Sequence, residues 1–146
     1  MVLDQISAWR AAGLDVPVVS INVSPWSLRE HDFAEQLLDA MSAAEISGSL
    51  LKLEITESAL LHYDEHVQTN LALLSHAGIR FVIDDFGVGY SSLTYLRQLP
   101  ISDLKIDRSF VSGFTKVAED EMIALAILGL ANSLALTTVE IGRAHV

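Results

Sequence analysis

Cysteine is absent from the 146 residues, which excludes a disulfide framework and thiolate metal sites and fits a reducing compartment. Cations are scarce: Lys and Arg number 9 against 19 Asp and Glu, for a formal net charge of −10. A sequence-independent grip on a nucleic-acid backbone needs clustered cations, so no nucleic-acid polymer is expected as a partner. A phosphate-bearing substrate would need metal ions to offset the repulsion. Long apolar runs are also lacking. The most apolar stretch, residues 122–136, is shorter than the about 18 to 20 residues that span a bilayer and contains Asn132 and Ser133, so no direct membrane insertion is expected from this segment. The first residues set Asp4 among apolar positions at helical spacing, unlike a signal peptide, and read as the last turns of an amphipathic helix closed by Gly13. No low-complexity segment or linker divides the chain.

What is present suits one ordinary core. Hydrophobic residues make up 51% and the mean hydropathy is +0.39, enough for collapse, while the net charge keeps the surface solvated. The length fits a single domain or part of a larger one.

Four segments read as strands with polar residues at or near their ends: residues 18–23 with Asn22, 51–57 with Glu54, 79–85 with Asp84 and Asp85, and 104–107 with Lys105. Strand side chains alternate between faces, so Asn22, Glu54 and Lys105 project opposite to the apolar neighbours that anchor them. Oxygen ligands then converge where the strands stop. Carboxylates and an amide carbonyl without thiolate suit Mg²⁺ or Mn²⁺, and a metal-assisted hydrolase is the first functional reading.

Between the strands lie helical patterns, Phe33, Leu37, Leu38 and Met41 in one and Val67, Leu71 and Leu74 in the next, with Gly48 and Gly78 after helices and Ser24-Pro25 after a strand. Asn22, Glu54 and Asp84 fall about 30 residues apart, one βα unit each. This alternation predicts an α/β fold with parallel strands, a (β/α) barrel whose active face lies at the strand C-termini. A closed barrel needs about 250 residues, so the chain has room for about half of one. A helix is expected over Ala118–Ser133 and a strand over residues 136–139.

Plainer readings stand beside these. Asn22 alone suits a turn, and Asp84-Asp85 suits a helix-capping turn, although the apolar Phe81, Val82 and Ile83 before it favour a barrel rim. Lys105 could be a snorkelling surface lysine and Asp107 an inter-strand hydrogen-bond acceptor. Asp85-Phe86-Gly87 imitates the kinase magnesium motif, but the glycine-rich loop and the His-Arg-Asp loop that accompany it are missing. His62 and His66 could share a zinc; with no third ligand in pattern, a solvated helix face is the better reading. Trp9 and Trp26 read as packing residues.

Taken together, Ser20-Ile21-Asn22-Val23-Ser24, Leu53-Glu54-Ile55-Thr56-Glu57-Ser58, the run from Asp84-Asp85-Phe86-Gly87 to Leu93, Leu99-Pro100 and Leu104-Lys105-Ile106-Asp107-Arg108-Ser109-Phe110-Val111 resemble the EAL domain in order and spacing. That family comprises bacterial signal-transduction phosphodiesterases that hydrolyse cyclic di-GMP to linear pGpG. The resemblance implies a partial (β/α)8 TIM-type barrel, about the middle half of an EAL domain, over residues 1–139. It further implies Asn22, Glu54, Asp84 and Asp85 as metal ligands and Lys105 as the lysine that helps position the attacking water. Glu57 resembles the glutamate that pins the loop after the next strand, residues 86–93. Strict pleating would point Asp85 away from Asp84, so Asp85 is expected at the strand end or on the loop beyond it. The cofactor implied is Mg²⁺ or Mn²⁺ in a two-metal site, which activates water and stabilises the attacking and leaving oxygens of an in-line displacement. The implied partners are cyclic di-GMP, with room for a homodimer through the EAL domain and for GGDEF or sensor domains in a parent protein. Its location would be cytoplasmic, or the cytoplasmic face of a membrane-anchored parent.

Departures from the family pattern also carry expectations. The name-giving Glu-Ala-Leu motif is absent, and Glu140 stands where the family's alanine belongs, one position before its catalytic glutamate. Residues 141–146, Ile-Gly-Arg-Ala-His-Val, are what ATC GGA AGA GCA CAC GTC encodes, a run that matches a common sequencing-library adapter. A non-native tail over residues 140–146 is therefore expected. The chain alone is expected to be inactive, while its parent is a cyclic-guanylate-specific phosphodiesterase. The alternative is a non-catalytic module that binds cyclic di-GMP or a protein partner, and an unrelated phosphosugar barrel survives only if the motif match is coincidence.

Overall fold

The structure, a computed structural model, describes residues 2–62, 64–87, 96, 99–107, 109 and 118–140. Helix α1 (Val2–Ala11) leads into β1 (Val19–Asn22), and α2 (Pro25–Arg29) and α3 (Phe33–Ala43) lead into β2 (Leu51–Thr56). A 3₁₀ segment (Glu57–His62) and α4 (Glu65–His76) precede β3 (Arg80–Phe86), followed by β4 (Ile101–Ile106), α5 (Ala118–Ser133) and β5 (Thr137–Glu140). Residues 88–93 of the expected loop, Arg108, Phe110 and Val111 of the last motif, and residues 141–146 of the expected tail lie outside the described residues.

The five strands form one sheet in chain order, every pair parallel. Parallel neighbours in sequential order, joined by crossovers on one side, are the wall of a (β/α) barrel. Helix starts follow from local chemistry. Pro25 occupies the first turn of α2, where no N–H is needed, and the Ser24 hydroxyl accepts from Ser27 N at 3.0 Å. Asp64 caps α4, accepting from Val67 N at 3.0 Å.

Four helices end in the same way before a strand. The second residue after the helix takes a positive φ, at Gly13 (72°), Glu45 (53°), Gly78 (86°) and Ala135 (55°). The next residue donates back five positions: Leu14 N to Trp9 O, Ile46 N to Met41 O, Ile79 N to Leu74 O and Leu136 N to Ala131 O, at 2.9–3.1 Å. This is the Schellman closure with its customary apolar follower. It corrects the expected role of Gly48: the stop after α3 is Glu45. Gly48 instead sits so close to the preceding turn of β3 that a Cβ there would lie 2.0 Å from the Ala77 carbonyl oxygen.

The helices cover one face of the sheet. Leu53, Ile55, Phe81, Ile83, Leu104 and Ile106 are buried in a common core with Val67, Leu71, Leu74 and Ile127. Asn70 is buried among them and is fully used: its Nδ2 donates to Leu28 O (2.9 Å) and Glu30 O (2.8 Å), and its Oδ1 accepts from Ala34 N (3.2 Å). One amide thus ties α2 and α3 to α4, a role the sequence reading missed. Trp9 packs against the core as expected. Trp26 does not; it is 77% exposed, because α2 turns Leu28 rather than Trp26 inward. Among the described residues, no helix is long and apolar enough to cross a membrane.

Candidate active site

The opposite face of the sheet is polar. Pairing registers place Asn22 beside Glu54, Glu54 beside Val82, and Val82 beside Asp103, while Thr56 lies beside Asp84. In β2 burial alternates strictly, with Lys52, Glu54 and Thr56 on the less buried side, the side that helices do not cover. Every candidate on a regular strand position therefore reaches the same face, as period-two alternation requires.

Lys105 organises the C-terminal rim of that face. Its Nζ donates to Glu54 Oε2 at 2.8 Å and to Asp84 Oδ2 at 3.1 Å, bridging β4 to β2 and β3. It is not the snorkelling surface lysine of the plainer reading. Burial alone would push its ammonium pKa down, but hydrogen bonds to Glu54 and Asp84 and the charges of both carboxylates outweigh that and hold it above the ordinary value. The two carboxylates thus favour its charged form. An ammonium has three N–H donors, and two are used here.

Asp85 sits inside β3, not beyond it, and a bulge explains why. Ile83 pairs with Leu104 and Phe86 with Ile106, so β3 carries one extra residue across this interval, and Asp85 takes φ 55°. The extra residue keeps Phe86 in the core while two successive aspartates remain at the rim. Partial burial pushes the Asp85 carboxyl up, the charges of Asp84 and Asp107 push it further, Lys105 offsets part of this, and a hydrogen bond with Asp107 adds to the rise. Asp107 is therefore a neighbour of Asp85, and its carboxylate also accepts from Ser109 N at 2.7 Å.

Glu57 is buried, and its Oε2 accepts from Gly87 N at 3.0 Å. Gly87 has φ 106°, a backbone conformation that side-chain-bearing residues resist, so the carboxylate holds the first residue of the segment leaving β3. Asn22 is exposed beside Glu54 at the end of β1, and Val23 N donates to Glu54 O at 2.9 Å. His66 meets His31 edge to face, ring centroids 5.5 Å apart, on an exposed surface.

The donor set suits a hard divalent cation. Glu54 and Asp84 share one ammonium, Asp85 lies in the field of Asp84, and Asn22 adds a neutral oxygen in register with Glu54. Among the described residues no three His, Asp or Glu side chains converge into a preformed cage; the positive charge between Glu54 and Asp84 is that of Lys105.

Sequence reasoning missed a second ion pair on this face. Lys52 Nζ lies 2.7 Å from Asp103 Oδ2, again linking β2 to β4 across β3. Ser102 is the extra residue of a bulge in β4, since Phe81 pairs with Ile101 and Val82 with Asp103. Its hydroxyl lies 3.1 Å from Phe81 O and 2.6 Å from Asp103 Oδ2. Burial pushes the Asp103 carboxyl up, but hydrogen bonds from Lys52 and Ser102 and the charges of Lys52 and Arg80 outweigh it, leaving the pKa below the ordinary value.

Comparison with known proteins matches the sequence and fold to one family. The chain is 37% identical over 124 residues to the cyclic di-GMP phosphodiesterase NbdA of Pseudomonas aeruginosa, covering 85% of this chain and 16% of that protein. It superimposes on the structure of the PaMucR phosphodiesterase in complex with c-di-GMP with TM-score 0.87 at 33% identity, covering 98% of this chain and 58% of that one. A manganese and cyclic di-GMP complex of Klebsiella pneumoniae BlrP1 matches with TM-score 0.82 at 26% identity, covering 97% of this chain and 36% of that one. The chain spans 16% to 17% of the length of such curated relatives. The family model for the EAL domain matches residues 1–141, and the chain belongs to the EAL domain family.

Proposed function

We propose that this chain is part of a metal-dependent phosphodiesterase that hydrolyses cyclic di-GMP to linear pGpG. The observation that carries the reading is the Lys105 ammonium held between Glu54 and Asp84 at the C-terminal rim of adjacent parallel strands, where barrel enzymes place their chemistry. The relatives' names and the ligands in the solved neighbours support it.

In this reading Asn22, Glu54, Asp84 and Asp85 hold Mg²⁺ or Mn²⁺. Bound cations supply charge stabilisation for an in-line displacement at phosphorus and lower the pKa of water. Lys105, fixed as a cation, keeps Glu54 and Asp84 aimed at the same point and has one N–H left to orient a water or a phosphate oxygen. Preorganised donors of this kind need no rearrangement as charge develops. The neighbouring carboxylates that raise the Asp85 pKa also favour a cation there, because like charges are stabilised by a shared counter-ion. Glu57 acts at one remove, holding Gly87 at the end of β3. The work takes place in the cytoplasm or at the cytoplasmic face of a membrane-anchored parent, and residues 1–146 alone are inactive.

Incubating the full-length parent with cyclic di-GMP and Mn²⁺ or Mg²⁺, and resolving nucleotides by chromatography, tests the reading. The expected product is pGpG, lost on chelation. Tight binding of cyclic di-GMP without turnover, with or without metal, would instead establish the binding-module alternative.

A further inference from the structure

Two ion pairs cross the polar face in opposite senses. Strand β2 contributes Lys52 and Glu54, and β4 contributes Asp103 and Lys105. Lys105 reaches back to Glu54 at 2.8 Å and Lys52 reaches across to Asp103 at 2.7 Å. Glu54 and Asp103 both stand in register with Val82, a buried apolar residue that offers neither of them a partner. The pattern is a pair of parallel diagonals, one on each side of a single hydrophobic position.

This arrangement has an electrostatic consequence for Glu54. Lys52 lies two residues before Glu54 on the same face, so their Cα atoms are about 7 Å apart. A four-carbon lysine stem turned along the strand reaches that far, and Glu54 is the next carboxylate on its path. Asp103 keeps it elsewhere. Its carboxylate is 7% exposed, lies 2.6 Å from the Ser102 hydroxyl at the β4 bulge, and is set on the far side of β3 from Lys52.

We propose that Asp103 is a positioning residue for the metal site: it sequesters Lys52 so that Glu54 faces one ammonium, Lys105, and retains the negative charge needed to hold a divalent cation. The inference rests on the metal-binding reading above. Without Asp103, Lys52 turns to Glu54, and the carboxylate is shared between two cations before any metal arrives. A role limited to tying β2 to β4 makes a different forecast, because any loss of the pair would then act alike.

The test compares Asp103→Asn, Lys52→Met and the double variant in the full-length parent, with Mn²⁺ binding measured by calorimetry in the absence of nucleotide. Asp103→Asn is expected to weaken Mn²⁺ roughly tenfold, the effect of one more cation within about 7 Å of the ligand. Lys52→Met should stay within about twofold of the unmodified protein, and the double variant should return to that level although the ion pair is still missing. Unchanged Mn²⁺ affinity in an Asp103→Asn protein with a cooperative melt would overturn the proposal, as would a double variant as weak as the single one. A crystal structure of Asp103→Asn adds a readout that needs no metal. Lys52 Nζ within hydrogen-bond reach of Glu54 supports the inference, and Lys52 turned to solvent refutes it. If that contact forms but the unmodified parent binds no Mn²⁺, the metal-binding reading fails while the sequestration of Lys52 stands.

Discussion

Lys105, Glu54 and Asp84 form one electrostatic unit, so their removal should not act independently. Lys105→Ala leaves two partly buried carboxylates without their shared ammonium, and loss of either carboxylate leaves Lys105 one acceptor fewer. In the full-length parent, Glu54→Ala, Asp84→Ala and Lys105→Ala are each expected to lower kcat for cyclic di-GMP at least about a hundredfold, or ~3 kcal/mol, comparable to losing one preorganised group. Steady-state kinetics with saturating Mn²⁺ would show it, and wild-type kinetics in any of the three would remove that residue from the site. Glu57→Ala works through Gly87 and should raise the Mn²⁺ and substrate concentrations required before it lowers kcat.

Asp103 has a separate signature in acid. Its folded pKa lies below the ordinary carboxylate value because Lys52 and Ser102 hold the anion against the cost of burial. A depressed folded pKa means that the contribution to stability is present above the unfolded pKa, about 3.9, and is lost as pH falls through the folded value. Asp103→Asn should therefore lower the urea midpoint at pH 7 and flatten the loss of stability below about pH 4. A variant whose stability falls as steeply in acid as the unmodified protein would show that Asp103 does not contribute there.

Among the helices, the four Schellman closures differ only in the residue that takes the left-handed conformation. Glycine occupies it after α1 and α4, but Glu45 and Ala135 adopt φ 53° and 55°, which costs an L-residue about 1–2 kcal/mol. Glycine there also gains entropy in the unfolded chain, which cancels part of the benefit. Glu45→Gly and Ala135→Gly are each expected to stabilise the parent by about 0.5–1 kcal/mol, read as a shift of the urea midpoint at constant slope. Destabilisation by either would mean that the side chain contributes more to its surroundings than its backbone strain costs.

For the chain as a whole, β1 and β5 are the outer strands of the described sheet, and α5 turns Met122 (71% exposed) and Leu125 (57%) away from the core. Outer strands and uncovered apolar helix faces invite pairing with other copies. Residues 1–146 expressed alone should sediment as oligomers or aggregates and show no turnover. A monomer by sedimentation with a cooperative melt and measurable pGpG production would refute this.

The strands and the residues at their rims were legible in the order of amino acids. Period-two alternation and a βα repeat of about 30 residues are local properties, and any parallel sheet built from them turns Asn22, Glu54 and Lys105 to one face. Gly13 and Gly78 announced their helix ends because glycine is the residue that adopts a left-handed angle without strain. Glu45 and Ala135 gave no such notice: there the angle is imposed by Ile46 and Leu136, which must turn back onto the helix they follow. The partners of the charges were equally hidden. Lys105 meets Glu54, and Lys52 meets Asp103, only because β2 and β4 flank β3 and two opposing bulges set their registers. Asp85 joins Asp84 at the rim for the same reason, since a bulge depends on the neighbouring strand and not on the aspartate. Local pattern chose which residues would line the face; long-range strand order chose which of them would touch.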